Sequence, residues 1–113
     1  MHELPIVEAT VKEVLKVAGE QKATKVMVVK LVLGEFSGFV DESIEFYWPI
    51  AAKETIAEKA RLQIKRVAGK LECVKCGYKF PEGERAELCP KCQSFKLKIT
   101  AGDGYWLEGI EIE

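Results

Sequence analysis

Four cysteines, Cys73, Cys76, Cys89 and Cys92, stand as C-x2-C-x12-C-x2-C in a chain of 113 residues. A C-x2-C pair can wrap a tight turn that aims both sulfurs at one point. Twelve intervening residues suffice for a hairpin that brings the second pair opposite the first. Four thiolates at tetrahedral corners make a closed structural zinc site, with no position left for water or substrate. The surrounding segment needs such a staple. Residues 70–100 hold all four cysteines and few aliphatic side chains, and Leu71, Leu88, Leu97 and Ile99 cannot make an independent core.

Two other uses of the cysteines remain open at this point. A pair of disulfides requires an oxidising setting and leaves the ribbon spacing without a purpose. Lys and Glu dominate the charged residues and Asn is absent, a bias of heat-loving organisms, in which intracellular disulfides do occur. Iron is the second alternative. The run Cys73-Val-Lys-Cys76-Gly77-Tyr78-Lys-Phe80-Pro81 resembles the metal knuckle of rubredoxins, and a tetrahedral set of four sulfurs accepts iron as well as zinc. The spacing between the pairs is much shorter than in rubredoxins.

Around this insert the pattern is that of a small α+β domain. Val7, Val11, Val14, Leu15 and Ala18 form one helical stripe between Pro5 and about Lys22, and Pro5 suits a first helical turn. Lys25–Leu33 reads as a well-buried strand, and Gly34–Val40 as a loop. Asp41 resembles an N-cap for a second helix to about Lys53, kinked or shortened by Pro49. Arg61–Val67 alternates as a strand, and Tyr105–Ile112 is a final strand after a Gly102-Asp103-Gly104 turn. The expected architecture is α+β: a two-helix, three-stranded-sheet metal-binding domain of residues 1–69 plus 103–113, with a zinc-ribbon domain of residues 70–102 inserted.

Charge restricts the partners. Seventeen basic against eighteen acidic residues give a net charge of −1, unlike a strongly basic nucleic-acid binder or a polybasic membrane-surface segment. Within residues 70–100 seven bases against four acids leave +3. Four thiolates with one Zn²⁺ take off two, and about +1 is a weak footprint for nucleic acid. No apolar run approaches the 18 or so residues of a membrane span, and Glu3, Glu8 and Glu13 stand where a signal peptide would be basic and then apolar. The expected location is the cytoplasm, with neither nucleic acid nor membrane as partner.

The only histidine is His2, directly after Met1. By itself it reads as a solvated chain end, yet the Met1 α-amine, an ionised amide and an imidazole nitrogen of His2 are within chelating reach of one metal. In-plane nitrogen donors suit Ni(II) or Cu(II), and spacing alone does not choose between them.

The opening Met1-His2-Glu3-Leu4, the stretch Gly34-Glu35-Phe36-Ser37-Gly38 followed by Asp41-Glu42-Ser43, and the late C-x2-C…C-x2-C together resemble the HypA/HybF family of nickel metallochaperones, end to end. That resemblance implies His2 as a nickel ligand, with backbone nitrogens from Met1 onward completing most of a planar site. It implies Asp41 near the nickel in some members, and Glu3 in nickel delivery and contact with a partner GTPase. The same two residues also fit plain helix-end roles. The four cysteines match the family's zinc ligands, but histidines that flank them in some members are absent here, so zinc-ligand exchange through such residues is not expected. Delivery to the [NiFe]-hydrogenase large-subunit precursor, with a HypB-type GTPase as partner, is what the resemblance implies. No catalytic set is visible, and Gly34-Glu-Phe-Ser-Gly38 lacks the Gly-Lys-Ser/Thr ending of a phosphate loop, so the chain is not expected to be an enzyme. The alternatives are a zinc-ribbon interaction adaptor with an inert N-terminus and a rubredoxin-like electron carrier.

Overall fold

The computed structural model describes residues 3–113. Its elements run α1 (Glu3–Glu20), β1 (Val26–Gly34), α2 (Asp41–Ala51), β2 (Arg61–Val67), β3 (Lys70–Cys73), β4 (Leu97–Ala101) and β5 (Tyr105–Ile112). The α+β expectation holds: two helices, a three-stranded sheet in the order β2-β1-β5, and a separate antiparallel ribbon of β3 and β4. The chain forms two compact units. One takes in the chain up to Val32 with Phe39–Lys65 and Trp106–Glu113; the other comprises Leu33–Gly38 and Arg66–Tyr105.

In the first unit, α1 begins at Glu3, two residues before Pro5. Pro5 still lies in the first turn, where its missing N–H breaks no intrahelical bond. The buried face of α1 is Val7, Thr10, Val11, Val14 and Ala18, while Leu15 is only half-buried. Thr10 enters this apolar stripe because its hydroxyl donates to the Ile6 carbonyl one turn back, at 2.8 Å, which removes the cost of burying an unpaired polar group. Helix α2 packs on α1. Asp41 is not its N-cap: Val40, in extended conformation, occupies that position without a side-chain bond, and Asp41 is the first helical residue. There its carboxylate faces the positive end of the helix dipole. The helix ends at Ala51, two residues after Pro49. Trp48 is fully buried, and its indole N–H donates to the Ala57 carbonyl at 2.9 Å. That bond ties α2 to the turn-rich connection before β2, which also accepts the Val26 N–H at Ile56. Central strand β1 supplies Val26, Val28, Val29, Leu31 and Val32 to the core. The C-terminal residue closes the unit, as Thr24 N–H donates to the Glu113 carbonyl and Glu113 N–H to that of Lys25, both at 2.9 Å.

The second unit is poor in apolar burial. Between residues 70 and 100 the buried residues are Cys73, Phe80 and Cys89. Its framework is the β3–β4 ladder, with Leu71 opposite Ile99 and Cys73 opposite Leu97. The Gly34–Gly38 loop belongs to this unit through a clasp of side chains. Glu35 accepts the Gly69 N–H at 2.7 Å and pairs with Arg85 at 3.4 Å, and the Arg85 guanidinium lies 5.0 Å from the centre of the Phe36 ring. Gly69 is required here because a Cβ would collide with the Phe36 ring. Gly69→Ala is therefore expected to destabilise the zinc-loaded protein by about 1–3 kcal/mol, read as a lower urea midpoint. Adding Phe36→Ala should recover part of that loss, since neighbours sharing one clash are not additive. An unchanged midpoint in Gly69→Ala would show that the clasp does not form.

Candidate metal centre

The two C-x2-C segments fold into the same knuckle twice. In the first, Cys73 N–H donates to the Tyr78 carbonyl at 2.8 Å and Gly77 N–H to the Cys73 carbonyl at 3.0 Å. In the second, Cys89 N–H donates to the Ser94 carbonyl and Gln93 N–H to the Cys89 carbonyl, both at 2.8 Å. Each turn aims backbone N–H groups at its leading sulfur: Cys76 N–H to Cys73 Sγ at 3.5 Å, and Lys91 N–H to Cys89 Sγ at 3.4 Å. The residue after each second cysteine must take a left-handed conformation. Gly77 does so at φ +78°, and Gln93 at φ +63°.

That equivalence gives a direct test. A side chain in the left-handed region costs about 1–2 kcal/mol, partly offset by the greater chain entropy that glycine loses on folding. Gln93→Gly should therefore raise the stability of the zinc-loaded protein by about 0.5–1 kcal/mol, measured by denaturant unfolding. A loss of stability would contradict the equivalence of the knuckles.

The ribbon brings the four sulfurs within 4.8 Å of one another. Cys73 and Cys92 are separated by 3.6 Å, as are Cys76 and Cys89. All four are free thiols, and these separations greatly exceed the S–S bond of about 2.05 Å, so the disulfide alternative does not describe this cluster. They lie close to the edge of about 3.8 Å for a tetrahedron with Zn–S bonds of about 2.3 Å. The donor set thus fits a four-coordinate thiophilic ion such as Zn²⁺. Cys73 and Cys89 are buried, whereas Cys76 and Cys92 are exposed.

Electrostatics agree with a cluster built for a cation. The Cys76 N–H holds the Cys73 thiol below its ordinary range, against burial and with help from the Lys75 N–H. Burial acts to raise Cys89, but the N–H groups of Cys92 and Lys91 outweigh it and bring the thiol down to about 6. The Tyr78 N–H favours the Cys76 thiolate, yet local desolvation among the neighbouring atoms and the sulfurs of Cys92, Cys89 and Cys73 push the thiol up to about 12. Binding a dication to the cluster would displace the protons that its thiols carry.

The expected nickel ligands are a different matter. Met1 and His2 lie outside the described residues. Glu3 is half-buried at the first position of α1, inside the helix rather than ahead of it, and Asp41 is half-buried at the first position of α2. Among the described residues, the four cysteines are the one group of potential ligands that converges on a point. Spacing in the sequence pointed to this cluster of sulfurs but not to the left-handed Gln93. Its signal was its position, one residue after a C-x2-C pair, where the other pair has Gly77.

Comparison with known proteins bears on the whole chain. The profile of a family described as hydrogenase/urease nickel incorporation, metallochaperone, HypA, matches residues 1–112. The chain is 38% identical over 113 residues to the hydrogenase maturation factor HypA of Dehalococcoides mccartyi, covering 100% of this chain and 95% of that protein. It is 34% identical to the protein of the same name from Geobacter metallireducens, with both chains fully covered. Among solved structures it resembles the Ni metallochaperone HypA from Helicobacter pylori, with a TM-score of 0.69 and 25% identity over 99% of this chain and 97% of that one. A second HypA solution structure gives a TM-score of 0.69 and 26% identity over 100% of this chain and 97% of the other.

Proposed function

Since the chain belongs to the HypA family of hydrogenase/urease nickel-incorporation metallochaperones, we propose that it captures Ni(II) at its N-terminus and delivers it to the [NiFe]-hydrogenase large-subunit precursor. The family is one of metallochaperones and not of enzymes, so nickel is cargo here and no bond of a substrate is broken. The observation that carries this reading is a family match that begins at residue 1 and so includes Met1 and His2.

In this proposal the Met1 amine, backbone amides and the His2 imidazole hold the ion. The described part of α1 opens at Glu3, so a site at Met1 and His2 would lie toward the N-terminal end of that helix. First-turn N–H groups have no intrahelical acceptors, so ionising one sacrifices no helical hydrogen bond. The positive end of the helix dipole also favours the resulting negative charge. Glu3 and Asp41, each in the first turn of its helix, are proposed to assist delivery or approach the nickel. Nitrogen donors in a plane suit Ni(II), and protons competing for the same nitrogens offer a route for release.

The second metal has a different purpose. Cys73, Cys76, Cys89 and Cys92 would hold Zn²⁺ as the staple of a ribbon domain of residues 70–102, and residues 1–69 with 103–113 would form the nickel-binding domain. Bound zinc supplies folding free energy and no reactive position. The family assignment sets aside the electron-carrier alternative, which the four sulfurs alone would leave open. A HypB-type GTPase is the proposed partner that gives the transfer its direction. The proposed setting is the cytoplasm; no helix of the described residues is long and apolar enough to cross a membrane.

The experiment is a transfer assay. Nickel-loaded protein is mixed with purified large-subunit precursor, the GTPase and GTP, and nickel in the re-isolated precursor is measured. Native protein should load the precursor, and His2→Ala should not. Equal loading by both would overturn delivery from the N-terminal site.

A further inference from the structure

The second unit displays an aromatic side chain that its own fold does not use. Phe95 is 77% exposed, and Val74, also exposed at 58%, lines the same groove of about 550 Å³. The backbone around Phe95 is nevertheless pinned on both sides. Ser94 accepts the Cys89 N–H at its carbonyl and the Lys96 N–H at its hydroxyl, at 2.8 and 3.1 Å. Lys96 in turn accepts the Val74 N–H at 2.9 Å. A rigidly held, solvated aromatic loses little further backbone freedom on association, which is the property of a binding anchor.

The charges around the anchor select its partner. Lys75 and Lys96 line the groove, no carboxylate does, and Cys92 is part of its lining. Lys91, at the matching position of the second knuckle, is also exposed. None of these three lysines forms an ion pair with a described residue. An apolar centre with a cationic rim is complementary to an acidic segment that carries a bulky apolar side chain. A phosphate backbone fits less well: the metal-loaded ribbon, with Glu72, Glu82, Glu84 and Glu87 counted, totals only about +1.

We propose that the groove between Val74 and Phe95 docks a short acidic segment of a partner protein, with an aromatic or branched aliphatic side chain against Phe95 and carboxylates on Lys75 and Lys96. This surface is independent of nickel at the N-terminus. It requires only a folded, zinc-loaded ribbon.

The test is an amide-resolved NMR titration of the zinc-loaded full chain with a 12-residue peptide alternating Glu with Leu and Phe. Three companion ligands are the same peptide with Gln for Glu, the same peptide with Gly for Leu and Phe, and a 12-nucleotide single-stranded DNA. Shifts are expected at Val74, Lys75 and residues 93–96, with each companion binding at least tenfold more weakly. Phe95→Ser should weaken the peptide at least tenfold while zinc content and melting temperature stay as in the native protein. Lys75→Glu with Lys96→Glu should turn the preference toward a peptide with Lys in place of Glu. No peptide binding at millimolar concentration, shifts centred elsewhere, or equal affinity for the Gln version would overturn the proposal. Tighter binding of DNA would overturn it in favour of a nucleic-acid surface.

Discussion

Replacing Cys73 with Ser is expected to release zinc and unfold the ribbon while the helical unit stays folded. The size of the effect follows from how little else holds the ribbon. Among residues 70–100 only Cys73, Phe80 and Cys89 are buried, and two of those three are cysteines proposed to bind zinc. Phe80 touches Tyr78 edge-on but has no further buried apolar partner within that stretch. Structural zinc in comparable small sites contributes about 10–16 kcal/mol of apparent binding free energy at neutral pH, far more than a single buried aromatic. The other unit keeps Val7, Val11, Val14, Val29, Leu31, Ile44 and Trp48 fully or almost fully buried, so its helices should persist. The measurement is zinc content together with amide NMR dispersion and far-UV circular dichroism. Cys73→Ser should show lost zinc and collapsed dispersion for residues 70–101, with the helical signal largely retained. A ribbon that stays dispersed without metal would contradict the staple.

That outcome depends on features of very different visibility in the sequence. The convergence of the cysteines was legible because it is set by local spacing: each knuckle closes within six residues, from Cys73 to Tyr78 and from Cys89 to Ser94. The helical stripe of α1 was legible for the same reason, since 3.6-residue periodicity is local. Thr10 was missed within it because a side chain that bonds one turn back can be buried without an apolar composition. The cap of α2 was misread. Asp41 has the right chemistry for a cap, but the extended Val40 takes the cap position and moves Asp41 one residue into the helix. The clasp of Glu35, Phe36, Gly69 and Arg85 was not legible at all. Its members meet across 34 and 50 residues of chain, and no local pattern encodes such a meeting.

The proposed nickel site rests on the opposite kind of signal, two residues whose proposed meaning comes from chemistry and family membership. An extension of one or two residues before Met1 converts the amine to an amide and moves the free terminus away from His2. His2→Ala removes the imidazole. In the proposed site each change deletes a direct donor, and even residues that merely orient metal ligands are worth about 10–100-fold in affinity. Each variant should therefore bind Ni(II) at least about 100-fold more weakly, a difference of about 2.7 kcal/mol. The four cysteines and the buried face of α1 are untouched, so zinc content should be unchanged and stability should stay within about 0.5 kcal/mol. Acid should also release nickel, because the amine, the amides and the imidazole are ligands only when deprotonated.

Calorimetric titration of Ni(II) into zinc-loaded native, N-extended and His2→Ala proteins at neutral pH tests the nickel-chaperone account most directly. One nickel per native chain and the hundredfold loss in both variants, at constant zinc content, are expected. Equal nickel affinity in all three proteins would contradict it, leaving a zinc-stapled member of the family whose nickel is held elsewhere.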